Sequence, residues 1–400
     1  MRILVLSPVL PYPPTWGFVT RVYQFLRLLA AGHSVTLLTY SNQEDGDDVA
    51  ALRKVCDAVH TIPLERSSKR LGQLASLLSP VSYQWRSHYS ARMQHRLTEL
   101  TQKERFDVIQ VESSQLACFD FDPRTVLVLD EHNIEYELLY RAFLTESSPV
   151  RRGYNWVEFR KFKREETGAW RRATGVTTTS ARETEIIRNI TNRPTRTVPN
   201  GVDVDYFSPS AEPSDANVIV MTGLMKYRPN VDGAVYFVRE VLPLIVAARP
   251  QMVFYIVGGE PSEEVRQLKG PNVVVTGTVP DVRPYVRRAA VFVVPLRMGS
   301  GTRLKVLEGL SMHKAMVSTS LGCEGIDVED GRHLLIGDDP ASFARAVLRL
   351  LDDPALVGRL AAAGRELVEA RYRWESVVRE LTSFYEELLA RPGDGGRTPN

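Results

Sequence analysis

Apolar positions along this chain follow two rhythms that repeatedly trade places. Residues 3–6 (Ile-Leu-Val-Leu) form an unbroken apolar run, the mark of a strand covered on both faces. From 18 to 31 apolar residues recur every three or four positions, which predicts an amphipathic helix, and Gly32 stands where such a helix stops. A second apolar stretch at 34–39 completes a strand–helix–strand unit. Further strands are predicted at 107–111, 125–129 and 175–178, the last leading to Ser180 as a helix cap. Strands alternating with helices call for a parallel sheet covered by helices.

The rhythm lapses around Val198-Pro199-Asn200-Gly201-Val202-Asp203, and Pro209 and Pro213 carry the break to about 217. Alternation then resumes, with strands predicted at 218–222, 252–257, 272–276, 291–294 and 315–318 and helices at 230–248 and 262–268. Two helices span 340–370 and a last one 374–390. The expectation is an α/β fold of two doubly wound domains, 1–203 and 218–370, joined by a linker at 204–217. A final helical segment at 371–390 is free to cross back to the first domain, and 391–400 reads as a disordered tail. Such folds bind ligands at the carboxyl ends of their strands, so the chemistry is expected in a crevice between the domains.

Composition changes this picture little. The 400 residues are 44% hydrophobic and 24% charged, enough for two ordinary cores. The first apolar run is too short for a secretory leader and no stretch of about twenty apolar residues occurs, so a cytoplasmic location is expected. Cys56, Cys118 and Cys323 lie far apart without metal-ligand spacing and read as buried thiols.

Charge is more informative. Residues 1–200 hold 27 Lys and Arg against 22 Asp and Glu, while the remainder holds 23 against 26. In 154–163 aromatics alternate with cations. A core-facing helix with a basic outer side is favoured there, with Trp156, Phe159 and Lys163 on one stripe and Phe162 well away from it. Peripheral contact with the inner membrane face is the second reading of the segment, and no nucleic-acid partner is expected.

The densest chemistry follows the strand at 291–294. There Gly299-Ser300-Gly301-Thr302 opens into a helix carrying Arg303, Lys305 and Glu308. Two glycines let the backbone approach a ligand, and free N–H groups at the helix start form an anion site. Arg303 and Lys305 add full charges, and Glu308, one turn on, can accept hydrogen bonds from a diol. A diphosphate joined to a ribose fits this pattern; an ordinary strand-to-helix turn with a surface ion pair is the alternative.

The ordered set of Gly32-His33-Ser34-Val35, Val198 to Asp203, Gly258-Gly259, Gly299 to Glu308 and Ala315 to Thr319 resembles the retaining glycosyltransferases of family 4 over nearly the whole chain. The resemblance implies the GT-B architecture of two facing Rossmann-like domains. It also implies a nucleotide-diphosphate sugar held mainly by the second domain and a carbohydrate or lipid-linked acceptor on the first. Arg303 and Lys305 would hold the diphosphate, with Lys226 and Arg228 as helpers. Gly17, Gly223, Gly299, Ser300, Gly301, Thr302 and Leu307 would line the donor, and Glu308 would bond the ribose. His132, in Leu129-Asp130-Glu131-His132-Asn133, would face the donor sugar as a hydrogen-bond donor. Adjacent Asp130 and Glu131 leave a strand on opposite faces, so at most one can join it.

The chain departs from the family at two places. Ser300 stands where the family's earlier glutamate contacts the sugar, and Gly223-Leu224-Met225-Lys226-Tyr227-Arg228 replaces its usual Gly-Arg…Lys-Gly run. The implied reaction retains anomeric configuration, needs no metal or other cofactor, and serves cell-surface polysaccharide or glycolipid assembly. A non-catalytic nucleotide-sugar-binding subunit and a GT-B epimerase or hydrolase remain as alternatives.

Overall fold

The computed structural model describes residues 1–42, 46–64, 69–299 and 303–391, the side chains of 69–71 and 74 excepted. The chain divides into two compact units, Met1–Pro199 with Val377–Asn400, and Asn200–Ser376. The boundary falls slightly ahead of the expected 203, and the helix Trp374–Ala390 passes from the second unit into the first. The expected linker at 204–217 belongs to the second unit. Val202 and Val204 are buried in its core, and its first strand already starts at Asp215. Residues 392–400 of the expected tail lie outside the described residues.

The first unit is built on seven parallel strands, β1 (Arg2–Ser7), β2 (Ser34–Tyr40), β3 (Ala58–Ile62), β4 (Val108–Glu112), β5 (Val126–Glu131), β6 (Gly175–Thr178) and β7 (Thr195–Thr197). Their order is β3-β2-β1-β4-β5-β6-β7, so the direction of winding reverses between β1 and β4. Ile3, Leu4, Val5 and Leu6 are all buried, as an unbroken apolar strand requires. Helix Gly17–Leu29 packs Val22, Phe25, Leu26 and Leu29 inward. β3 escapes the sequence pattern because His60 and Thr61 interrupt an edge strand that is only partly covered.

The second unit holds β8 (Asp215–Thr222), β9 (Val253–Val257), β10 (Val273–Gly277), β11 (Ala289–Val294), β12 (Met316–Ser318) and β13 (Leu335–Ile336), all parallel, in the order β10-β9-β8-β11-β12-β13. Here the winding reverses between β8 and β11. Both units therefore have the Rossmann-like switch point where doubly wound sheets take ligands.

Helix Pro149–Arg172 corrects the expectation for 154–163. It buries Glu158, Phe162, Glu165, Glu166, Ala169 and Trp170 and leaves Trp156 49% exposed. The inward face is acidic because its carboxylates cap other helices. Glu166 accepts from the backbone N–H groups of Glu135 and Tyr136, both at 2.9 Å, at the start of helix Glu135–Thr145, whose own cap residue Ile134 has no side-chain acceptor. Glu165 accepts from the Ser82 N–H at 2.8 Å, and Glu158 from the Tyr83 N–H at 2.6 Å, at the start of helix Tyr83–His88. A helix amino terminus carries unpaired N–H groups and partial positive charge, so a glutamate reaching it satisfies both. Among the described residues, no helix is long and apolar enough to cross a membrane.

Replacing Glu166 with Ala strands two helix-start N–H groups and the Ser114 hydroxyl, which donates to Glu166 at 3.0 Å. Urea unfolding is expected to show a loss of about 3 kcal/mol for Glu166→Ala. Trp156→Ala, on the outer face, is expected to change stability by less than about 0.5 kcal/mol.

Candidate functional site

In the second unit the site grows from three glycines and a lysine. β8 ends at Thr222 and turns through Gly223, whose φ is +149°. A methyl group there would lie 2.7 Å from the Asn230 amide nitrogen and 2.8 Å from Lys305 Nζ, so only glycine fits. Gly258, after β9 and at φ +151°, would drive a methyl group to 1.8 Å from the Gly223 carbonyl oxygen. The ends of β8 and β9 thus meet backbone to backbone.

β11 leads through Pro295 to Gly299, and Arg303 caps helix Leu304–Ser311. Lys305 reaches back across the switch point and donates to the Thr222 carbonyl and to Asn230 Oδ1, both at 2.7 Å. Asn230 in turn donates to the Leu224 carbonyl at 2.9 Å. Burial pulls the Lys305 ammonium down to about 7 and pushes the Glu308 carboxyl up to about 7, each partly offset by the opposite charge of the other. Arg303 is buried, and Gly299, at φ +118°, would place a methyl group 3.0 Å from its Nη2.

Other expected donor residues fall elsewhere. Lys226 is exposed and paired with Glu260 at 2.7 Å, and Arg228 with Glu264 at 2.9 Å; both ion pairs lie on the surface of the loop and helix after β8. The Leu307 side chain is fully buried in the hydrophobic core, so it packs the helix against the sheet. Ser300, Gly301 and Thr302 lie outside the described residues.

In the first unit a buried ionic cluster occupies the ends of β4 and β5. Arg21, on helix Gly17–Leu29, grips Asp130 with Nε at 2.8 Å and Nη2 at 2.9 Å. It also donates to the carbonyls of Val198 (2.9 Å) and Pro199 (3.0 Å), the last residues before the chain enters the second unit. Thr177 donates to Asp130 at 2.6 Å. Burial alone would raise the Asp130 carboxyl, but the Arg21 charge and hydrogen bonds outweigh it and hold the group down at about 2. His132 Nε2 lies 2.9 Å from Glu112 Oε2 and 3.4 Å from Asp130 Oδ2. Gly17 opens the helix that carries Arg21, and its neighbours Trp16 and Phe18 stack at 5.5 Å, with Phe18 lying 4.3 Å from the His132 ring.

Glu131 leaves β5 on the other side, where it accepts from Trp170 Nε1 at 2.7 Å and the Ser114 N–H at 3.3 Å; burial pushes it up to about 8. Of the adjacent acids, only Asp130 joins His132.

Sequence reasoning passed over Arg21 and Glu112. Arg21 sits with Val22, Phe25 and Leu29 on the buried stripe of its helix, and Glu112 is the last residue of β4. An arginine on an apolar stripe and an acid closing a strand were the available signals. Ligand atoms of Glu112, Asp130 and His132 lie within 4.8 Å of one another, a spacing open to a cation. The set does not fit one, because Arg21 already holds both Asp130 oxygens and supplies the positive charge.

Removing the cation leaves a buried carboxylate uncompensated. Arg21→Met is expected to lower the unfolding free energy by about 3–5 kcal/mol, with Asp130→Asn in the same chain restoring part of it. Because Asp130 titrates lower folded than unfolded, its stabilising contribution is present above pH ~4 and fades as pH falls toward ~2. Chemical unfolding of wild type and Arg21→Met across that range measures the difference.

Comparison with known proteins places these two units. A glycosyl transferase 4-like domain matches residues 17–201 and a glycosyl transferases group 1 domain matches residues 216–353. The chain is 23% identical to the uncharacterised 44.6 kDa protein of the cps region of Klebsiella pneumoniae, over 96% of this chain and 99% of that one. It is 27% identical to the phosphatidyl-myo-inositol mannosyltransferase of Mycobacterium tuberculosis, over 48% of this chain and about half (53%) of that one. Sucrose-phosphate synthase of Thermosynechococcus elongatus has the same fold at TM-score 0.70 and 19% identity, covering 98% of this chain and 99% of that one. Anabaena HepE, in complex with UDP and glucose, does so at TM-score 0.66 and 14% identity, covering 96% and 99%. With both domain matches in order on two Rossmann-like units, together spanning most of its length, the chain belongs to the family 4 glycosyltransferases of GT-B fold.

Proposed function

We propose that this glycosyltransferase moves a sugar from a nucleotide-diphosphate sugar to an acceptor hydroxyl with retention of configuration, in the assembly of a cell-surface polysaccharide or glycolipid. The observation that carries this reading is Lys305 at the switch point of the second unit, with Arg303 before it and Glu308 one turn beyond. Breaking a sugar–diphosphate bond gathers negative charge on the leaving oxygen, and fixed cations with helix-start N–H groups stabilise it. Lys305 is already oriented by two acceptors, so little reorganisation precedes its contact with a phosphate. Glu308 accepts from the ribose hydroxyls, and the departing phosphate takes the acceptor's proton on the same face. Arg303 and Lys305 supply the positive charge, and no metal or other cofactor takes part. The mannosyltransferase relatives and the UDP and glucose bound by HepE support a donor and acceptor of these classes.

Thermal stabilisation across UDP-, GDP- and ADP-sugars, followed by product analysis with and without acceptor, tests the reading. A rise in melting temperature with acceptor-dependent transfer and retained configuration supports it. Binding without turnover supports a binding subunit, and free sugar or an epimer without acceptor supports a hydrolase or epimerase. Lys305→Met is expected to weaken nucleotide-diphosphate binding by about 10- to 100-fold. Affinity is expected to peak near pH 7. The Lys305 ammonium is lost as pH rises past about 7, and the Glu308 carboxylate is lost as pH falls past about 7. Calorimetric titration should show Lys305→Met without the alkaline limb and Glu308→Gln without the acidic one.

The acceptor is proposed to be lipid-linked, reached by peripheral contact at the inner membrane face. Exposed Tyr140, Leu144, Val150 and Trp156 stand on the paired helices Glu135–Thr145 and Pro149–Arg172, beside exposed Arg141, Arg151, Arg152 and Arg160. Vesicles containing anionic phospholipid are expected to co-sediment the protein, and substituting Val150 and Trp156 with Ser is expected to reduce the bound fraction.

A further inference from the structure

The cluster at the ends of β4 and β5 assigns a hydrogen to one nitrogen of His132. Glu112 and Asp130 are partners in the strand register, so their carboxylates stand side by side. His132 folds back over them, with Nε2 2.9 Å from one and 3.4 Å from the other. Asp130 is ionised and gripped through both oxygens by Arg21. A bare Nε2 lone pair would face that anion. Burial and the Asp130 charge push the Glu112 carboxyl up, against the pull of the His132 hydrogen bond; a hydrogen on Nε2 serves Asp130 and the nearer Glu112 oxygen together, and Gln110 donates to the other Glu112 oxygen. Phe18 lies against the ring at 4.3 Å and fixes its plane, while Glu112 fixes its rotation within that plane. Among the described residues, Nδ1 makes no hydrogen bond.

We propose that Glu112 is a positioning residue that holds His132 in the tautomer protonated on Nε2. The nitrogen offered to a ligand is then Nδ1 with its lone pair, an acceptor for a sugar hydroxyl. This reverses the sequence-based expectation, in which His132 faces the sugar as a hydrogen-bond donor. Its donor capacity is spent inside the protein, as in other sites where a carboxylate behind a histidine selects the tautomer. A hydroxyl can donate to such a nitrogen and a fully ionised phosphate cannot, so His132 selects for the sugar and not for the diphosphate.

The role of His132 in transfer rests on the glycosyl-transfer reading; its tautomer does not. The full chain, labelled with ¹⁵N-histidine and free of substrate, is observed by long-range ¹⁵N–¹H correlation at about pH 8, above the ordinary imidazole value near 6.5. His132→Asn serves as the blank that assigns the signal. The expected result is the Nε2–H pattern in wild type and in Glu112→Gln, whose amide oxygen accepts from His132 while its NH2 donates to the Gln110 side-chain oxygen once that amide turns over. Glu112→Ala is expected to give a mixture. An Nδ1–H pattern in wild type overturns the proposal whatever the enzyme transfers, and it needs no variant to fold.

In the transfer assay, Glu112→Gln is expected to stay within about threefold of wild type, and Glu112→Ala to lose about 10- to 100-fold in kcat with donor KM changed less than about threefold. A comparable loss in Glu112→Ala with the His132 tautomer unchanged also overturns it. An Nε2–H pattern without any transfer in wild type leaves the tautomer assignment standing and removes the transfer reading.

Discussion

A carboxylate shut away from water is most strongly held by a full positive charge, and Asp130 finds one in Arg21. The pair ties together parts of the chain that are distant in sequence: the helix after β1, the end of β5, Thr177 on β6 and the carbonyls of Val198 and Pro199. Desolvating two ions is costly, and their attraction repays it only when the remaining donors and acceptors are also satisfied. Here Arg21 donates to two carboxylate oxygens and two carbonyls. The geometry around His132 builds on this, because an anchored Asp130 and its neighbour Glu112 fix the acceptors within reach of Nε2.

The second unit solves a related problem with less charge. Lys305 crosses from the helix after β11 to the end of β8, and the room for it exists because Gly223 has no side chain and Gly258 lets the neighbouring turn come close. The lysine holds two strand ends in register on the residues where a ligand of this fold is received. The strap is a single buried ammonium group, whereas the cations Lys226 and Arg228 pair at the surface with Glu260 and Glu264.

Much of the architecture was legible in the residue pattern. Unbroken apolar runs such as 3–6 and 291–294 announce strands covered on both sides, and both proved fully buried. The pattern failed where burial is decided by hydrogen bonding. Helix Pro149–Arg172 turns Glu165 and Glu166 inward beside Trp170 and leaves Trp156 outward, because those carboxylates meet N–H groups at the amino termini of other helices. Hydrophobic periodicity has no term for that. Arg21 was hidden for the same reason: its partner is 109 residues away, and nothing local distinguishes it from a solvated cation. Strand-end positions carry more of the buried ionic cluster, since His132 follows β5 and Glu112 closes β4.

Capping across helices has a consequence for how the first unit comes together. Helix Glu135–Thr145 lacks an acceptor of its own at its first turn, and Tyr83–His88 borrows two from elsewhere. Ser82 gives Tyr83–His88 one acceptor of its own, for the Trp85 N–H, and the other N–H groups named at the two helix starts are met from the long helix. Part of their capping is thus written into residues 158–166 of a third segment. Order in these pieces should therefore be completed when the long helix docks, and a chain interrupted before that point would lack part of the support for two helices it had already synthesised.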